Sequence, residues 1–259
     1  MNYLSVEEGR ALPGLRLVLT AGVPGPWGEA AKAIFKLKGL RYAAVAQEGG
    51  GENAALREWT GQANAPVAVY DDEPPVSDSL EILFLAERLA PSPRLIPEHV
   101  AERAAMFGIT REIIGREGLG WMRRHTMLAP LMSGAEPPEG IRRLAGRYGY
   151  SEAAFAAAPA AMSRILRFLS ATLAAQCAGG RRYFVGESLS AADVYWACFS
   201  NMLAPLPAAA CPTPSRMRSA WELLDDRTRA ALDPALIAHR DFVFAEHIGL
   251  PLDFLPNGG

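Results

Sequence analysis

The sequence predicts an α/β amino-terminal domain followed by an all-α carboxy-terminal domain. Over the first third of the chain, short β-rich runs alternate with helical apolar patterns, and the strand signal fades after Glu98. The Gly, Val and Pro of that first third give way to Ala, Arg and Leu. Between the two compositions stands APSPRLIP, Ala90 to Pro97, which has three prolines in eight residues and no periodicity and reads as an interdomain linker. The expected division is therefore a layered domain over 15–89, a linker over 90–97 and a helical domain over 98–259. A chain of 259 residues, half of them hydrophobic, is long enough to bury a core in each domain.

After a polar lead, LRLVLT, Leu15 to Thr20, is a β-rich run that ends in the loop Ala21 to Gly25. Pro26 suits the first helical position; a helix over about 27–38 follows, with Ala30, Ala33, Ile34 and Leu37 on one face and Gly39 placed to stop it. A strand over about 41–46, a glycine-rich loop over 47–51 and a short helix over 52–60 come next. A strand opening at Val67, an acidic turn, a short Pro-bounded strand and a helix over 78–89 complete the order β-α-β-α-β-β-α. In the second half, helices are expected over about 98–128, 151–178, 191–203 and 216–232, with loops over 130–138 and 205–214 and an irregular tail from Ile248. The Met162, Ile165, Leu166 and Leu169 stripe reads as core.

Charge and cysteine usage narrow the functional classes. Lys plus Arg is 26 against 28 for Asp plus Glu, a net charge of −2, so no nucleic-acid partner is expected. The pairs Arg123-Arg124, Arg142-Arg143 and Arg181-Arg182 are scattered and read as solvated helix faces and loop ends. MNYLSVEEGR lacks the basic-then-apolar pattern of a secretory signal, and no apolar stretch is long enough to span a bilayer, so no membrane partner is expected. Cys177, Cys198 and Cys211 form no CxxC pair, which indicates neither a disulfide framework nor a metal site and suits a cytoplasmic setting.

Two stretches carry candidate chemistry. In NAPVAVYDDEPPVSDSLEIL, Asn64 to Leu83, Pro66 cannot donate to a ladder and must open its strand, which is where a tight turn or a cis bond is found. Asp78 and Glu81 have capping-box spacing, and the helix start offers amides and the Ser79 hydroxyl to a carboxylate. Each piece has a plainer reading as a strand start and a helix cap. In LSAADV, Leu189 to Val194, Ser190 caps, Asp193 returns the bond and Leu189 staples onto Val194. Gly22, Gly25 and Gly28 mimic a dinucleotide fingerprint, but their spacing is G-x-x-G-x-x-G and Pro24 and Pro26 interrupt it.

Three separated stretches, GPWGEAAKAIFKLKGL (Gly25 to Leu40), Asn64 to Leu83 and FVGESLSAADVYWA (Phe184 to Ala197), together resemble the glutathione S-transferase superfamily. The resemblance covers about 15–231 and implies that family's fold, an α/β thioredoxin-like domain followed by an all-α helical bundle. It implies that Pro66 is cis, that the backbone of Val67 pairs with the cysteinyl part of glutathione, and that Asp78 and Ser79 hold its γ-glutamyl end. It makes Ser190 and Asp193 a structural cap, and it implies a homodimer with glutathione as substrate or ligand.

At the chemistry the sequence departs from that pattern. The family activates the thiol with a Tyr, Ser or Cys near the end of the first strand or the start of the first helix. Here the Cys position reads Gly25, and no Ser, Cys or Tyr lies between Thr20 and Lys32. Thr20 is the nearby hydroxyl and the candidate catalytic residue, and Trp27 stands at the helix mouth. Two functions follow. One is a transferase that conjugates glutathione slowly to an apolar electrophile held around Trp27, Met106 and Trp121. The other is a non-catalytic ligand-binding or scaffold protein of the same fold.

Overall fold

The computed structural model describes residues 1–257. The chain forms two compact units, Met1–Pro93 joined by the final segment from Pro251, and Arg94–Leu250.

The first unit is built on a small mixed sheet. Its elements are β1 (Tyr3–Leu4), α1 (Val6–Ala11), β2 (Leu15–Thr20), α2 (Pro26–Leu37), β3 (Ala43–Gln47), α3 (Ala54–Thr60), β4 (Val67–Tyr70) and α4 (Ser79–Leu89). The sheet order is β1-β3-β2-β4, with β1, β3 and β2 parallel and β4 antiparallel to β2. Val18, Val45, Leu56, Val67 and Val69 form the buried cluster on one face, as β-branched residues on successive strands do when a helix covers them. α2 presents Ala30, Ala33, Ile34 and Phe35 to the interior, and Gly39, at φ +66°, ends it as expected. Lys38 at its end reaches Glu87 at 2.7 Å and the Ala90 carbonyl at 3.0 Å, tying α2 to α4.

The amino-terminal lead is ordered. Ser5 and Glu8 close a capping box on α1, with Glu8 N to Ser5 Oγ at 3.1 Å and Ser5 N to Glu8 Oε2 at 2.8 Å. Gly9 then lies so close to β3 that a Cβ there would meet Val45 Cγ2 at 2.3 Å. This S-x-x-E signature was legible, but two-residue β1 carries no pattern of its own. The final segment completes the unit: Phe254 is buried, its carbonyl accepts from Tyr3 Oη at 3.0 Å and from Gly22 N at 3.0 Å, and Asn257 N reaches Met1 O at 3.1 Å. The strand expected after the acidic turn is only a bridge, Val76 with Ala68, because the prolines at 74 and 75 leave no donors to extend it.

The second unit is helical: α5 (Val100–Ile114), α6 (Leu119–Met132), α7 (Glu139–Tyr148), α8 (Glu152–Ala178), α9 (Ala191–Ser200), α10 (Ser215–Glu222), α11 (Asp226–Ala231) and α12 (Pro234–Val243), which runs into a π-helical turn over Phe244–Ile248. The single helix expected over 98–128 is two. Gly115 and Gly118 let the chain reverse where a Cβ would stand 2.6 Å from the Arg111 carbonyl or 2.7 Å from that of Glu112. Similarly, the helix expected over 216–232 breaks at Leu223 to Asp225, where Asp225 caps a new start by accepting from Thr228 N at 2.9 Å. Pro130 lies inside α6 instead of in a loop, and α7 and α12 fall where no helix was expected.

The centre of this unit is α9, buried along its whole length. Trp196 Nε1 donates to the Leu236 carbonyl at 2.8 Å, and Gly120 of α6 packs so near Phe199 that a Cβ would meet its ring at 2.4 Å. Arg123 corrects the reading of the paired arginines. It is 2 % exposed, and its guanidinium donates to the carbonyls of Met202, Ala220 and Trp221 and to Thr126 Oγ1. Burial lowers its pKa to about 10.

Candidate functional site

The sheet register gathers three candidate groups at one end of the first unit. Thr20 ends β2 and pairs in register with Gln47, which ends the parallel β3, while Val67 begins the antiparallel β4 opposite Val18. The carboxyl ends of the parallel strands and the Ala65–Pro66 step therefore share an edge, the region where open α/β sheets place ligands. The Ala65–Pro66 peptide is cis.

The segment before that proline is held from below. Gln47 Nε2 donates to the carbonyls of Glu48 and Ala63, and Asn53 Nδ2 to those of Glu48, Gly51 and Ala63. Asn53 takes a left-handed conformation, φ 49°, at the head of α3 to do so. Asn64 Oδ1 is buried beside Ala65 and finds no hydrogen-bond partner among the described residues. Gln47, Asn53 and Asn64 escaped the sequence reading. The glycine run marks a loop, but nothing local says that two side-chain amides converge on the Glu48 and Ala63 carbonyls.

The ladder parity orients the main-chain groups at this edge. Ala68 exchanges both its bonds with Val76, at 2.8 and 2.9 Å, on the side away from β2. Since successive residues of a strand point their amides and carbonyls to opposite sides, those of Val67 are turned toward Val18 in β2. Half-buried Ala65 leads into the cis peptide just before this strand.

Asp78 caps α4. Its Oδ1 accepts from Leu80 N at 2.8 Å and Glu81 N at 3.4 Å, so the cap leaves Oδ2 unused. Ser79 is the first residue of α4 and half-buried, beside the exposed Asp78. The return bond from Glu81 that the spacing suggested does not close a capping box here.

Around the loop after β2, Thr20 Oγ1 donates to Gln47 Oε1 at 2.7 Å, which commits its only proton. Gly25, the N-cap of α2, has no side chain to satisfy the first turn, and Trp27 is half-buried there. Glu29 in the same turn is 6 % exposed and bonded to Lys32 at 2.8 Å; burial pushes its carboxyl up, and Lys32 opposes this. Burial also pushes the nearby Tyr3 and Tyr42 hydroxyls up, with Glu29 adding to it. A carboxylate in the first turn offsets part of what the helix start offers an anion.

Met106 and Trp121 lie in the second unit. Met106 is fully buried on α5, its sulfur 3.5 Å from Thr110 Oγ1. Trp121 is half-buried, with Nε1 donating to the Tyr148 carbonyl at 2.9 Å and its ring edge-on to Tyr148 at 4.9 Å. Asp193 is fully buried; Oδ1 accepts from Phe184 N at 2.9 Å and meets His239 Nε2 at 2.9 Å, while Oδ2 accepts from Ser190 N at 2.9 Å and Ser190 Oγ at 2.7 Å. All of these are structural bonds. Among the described residues no group of His, Cys, Asp or Glu gathers as a metal would require, and no helix is long and apolar enough to cross a membrane.

Residues 122–224, which span α6 to the turn before α11, match the family described as glutathione S-transferase, C-terminal domain. The chain carries that domain and has the glutathione S-transferase fold. Similar solved structures include a glutathione S-transferase from Xanthobacter autotrophicus, 19 % identical over 92 % of this chain and 96 % of that one, TM-score 0.58. One from Methylobacillus flagellatus with GSH bound is 17 % identical over 89 % and 94 %, TM-score 0.59. A monomeric one from the hookworm Necator americanus is 17 % identical over 90 % and 92 %, TM-score 0.58. No curated protein sequence matches the chain. Within this glutathione S-transferase fold, the four-stranded sheet is the thioredoxin-like part and the α5-to-α12 bundle the helical part.

Proposed function

We propose that this glutathione S-transferase-like chain binds glutathione on its first unit and conjugates it slowly to an apolar electrophile. The observation that carries the reading is the convergence of the Ala65–Pro66 step and the ends of β2 and β3 at one sheet edge. The extended cysteinyl part of the tripeptide lies against the main chain at the Ala65–Pro66 step, next to Val67, to which the resemblance gave that role. The γ-glutamyl carboxylate takes the Ser79 hydroxyl at the positive end of α4, whose Leu80 and Glu81 amides the cap already holds, and its ammonium takes Asp78 Oδ2, the oxygen the cap leaves unused. Trp27 borders the thiol, and the structural relative with GSH bound supports the ligand class.

Thiol activation is the weak step. Thr20 must break its bond to Gln47 before its proton can reach a thiolate. The first-turn amides of α2 then supply most of the stabilisation, and a helix start contributes only about 0.3–1 kcal/mol. That same Thr20–Gln47 bond favours the second reading, a non-catalytic glutathione-binding or scaffold protein.

Retention on immobilised glutathione, together with the rate of chlorodinitrobenzene conjugation, separates the readings. Retention with measurable turnover supports the transferase, retention alone supports the binding protein, and failure of both removes the glutathione reading. Ser79→Ala is expected to weaken glutathione binding by about 1–3 kcal/mol, measured by calorimetry. An unchanged affinity in a folded variant takes Ser79 out of the site. Thr20→Val is expected to leave the conjugation rate within about twofold, since α2 carries the activation; a drop of tenfold or more would make Thr20 the activating group. Sedimentation of the full chain tests the homodimer that accompanies this reading.

A further inference from the structure

The helical unit encloses a cavity of about 510 Å³ between α6, the start of α8 and the turn that joins α10 to α11. Its size is that of a small-molecule site. Its lining residues all lie between Arg123 and Asp225, and none of them is in the first unit.

The walls are apolar. Pro130, Phe155, Pro159 and Leu223 line it, and Phe155 and Leu223 leave 37 % and 66 % of their surface in solvent, apolar area for a ligand to cover. The polar groups are short of donors. Asp225 Oδ1 is used by the α11 cap, but Oδ2 is buried and has no hydrogen-bond partner among the described residues. Glu152 accepts from Tyr150 Oη at 2.9 Å. Arg123 lines the cavity too, and its charge acts on Asp225, but its hydrogen bonds all run to the Met202, Ala220 and Trp221 carbonyls and to Thr126, so it gives Asp225 Oδ2 no donor.

One guanidinium against two carboxylates leaves the cavity net negative, with one buried carboxylate oxygen still in need of a donor. A carboxylic acid in that space would face like charge. An alcohol would supply a donor but no charge. A protonated amine supplies both, and an apolar body behind it would cover Phe155 and Leu223. We propose that this cavity is a second small-molecule site, for an apolar amine bound as its ammonium between Asp225 and Glu152.

Titration of the full chain with monodansylcadaverine, whose fluorescent apolar ring is linked to an alkylammonium, tests this directly. Saturable binding is expected, at least tenfold tighter than that of the N-acetylated compound and undisturbed by saturating glutathione. Asp225→Asn keeps a cap oxygen for Thr228 and is expected to weaken the amine at least tenfold while leaving the acetylated control unchanged. Glu152→Gln, at an exposed position, is expected to weaken the amine about threefold or more. The proposal is overturned if amine and acetylated compound bind equally, if neither binds saturably, or if both folded variants bind the amine as the wild type does. Displacement by glutathione would also overturn it, by placing the probe in the other site.

Discussion

Asp193→Ala is expected to destabilise the helical unit by about 3–5 kcal/mol, the cost of removing a buried carboxylate that four groups hydrogen-bond and leaving those groups unsatisfied. The carboxylate is fully buried and meets Phe184 N, Ser190 N, Ser190 Oγ and His239 Nε2, all between 2.7 and 2.9 Å. Alanine leaves the first turn of α9 without its return bond and strands a 5 % exposed imidazole against the Phe184 ring, 4.8 Å away. Urea unfolding of the variant should show the loss in the helical unit's transition. His239→Phe removes a single contact and fills the ring's volume, so it should cost about 1–2 kcal/mol. A loss below 1 kcal/mol for Asp193→Ala would mean that these bonds contribute little beyond an ordinary cap.

The same residue shows how far the sequence could be read. Ser190, Asp193 and the Leu189 flank identify a helix start from local spacing alone, because a capping box is closed within four residues. The Phe184 amide and His239 are supplied from 9 and 46 residues away, and no local spacing marks them. At the candidate site the division is similar. Pro66 stands directly before β4 and Asp78 caps α4, both set by backbone chemistry that one residue type determines. The turn of the Val67 main chain toward β2 follows from the Ala68–Val76 bridge, and the Thr20–Gln47 bond from strand register, so neither could be read before the sheet was assembled. Helix boundaries failed where small residues set them. Gly115 and Gly118 break an otherwise periodic apolar run because of how close the chain passes to itself, whereas Pro130 is accommodated inside α6.

Arg123→Ala is expected to cost about 3–5 kcal/mol as well, for a different reason. The adjacent pair Arg123-Arg124 looks like a solvated face, but position 123 points into the unit and its side chain bridges carbonyls on segments 79, 97 and 98 residues away. These are the Met202 carbonyl after α9 and the Ala220 and Trp221 carbonyls of α10, so the guanidinium fastens both segments to α6. Its hydrogen-bond partners are neutral carbonyls and a hydroxyl; burial pulls its pKa down to about 10, and the charge of Asp225 opposes this only in part. Truncation leaves three buried carbonyls without donors and empties the volume of a large side chain. Arg123→Lys retains the charge, but one ammonium cannot span acceptors that a planar fork reaches in several directions, so about 2–3 kcal/mol should still be lost. Arg123→Met tests which part matters. It keeps the stem packing and removes the desolvated charge, so its loss should be smaller than that of alanine by the packing contribution. If methionine proves as stable as the wild type, burial of the stem is what holds α6 to α10, and the carbonyl bonds merely balance the cost of burying the charge.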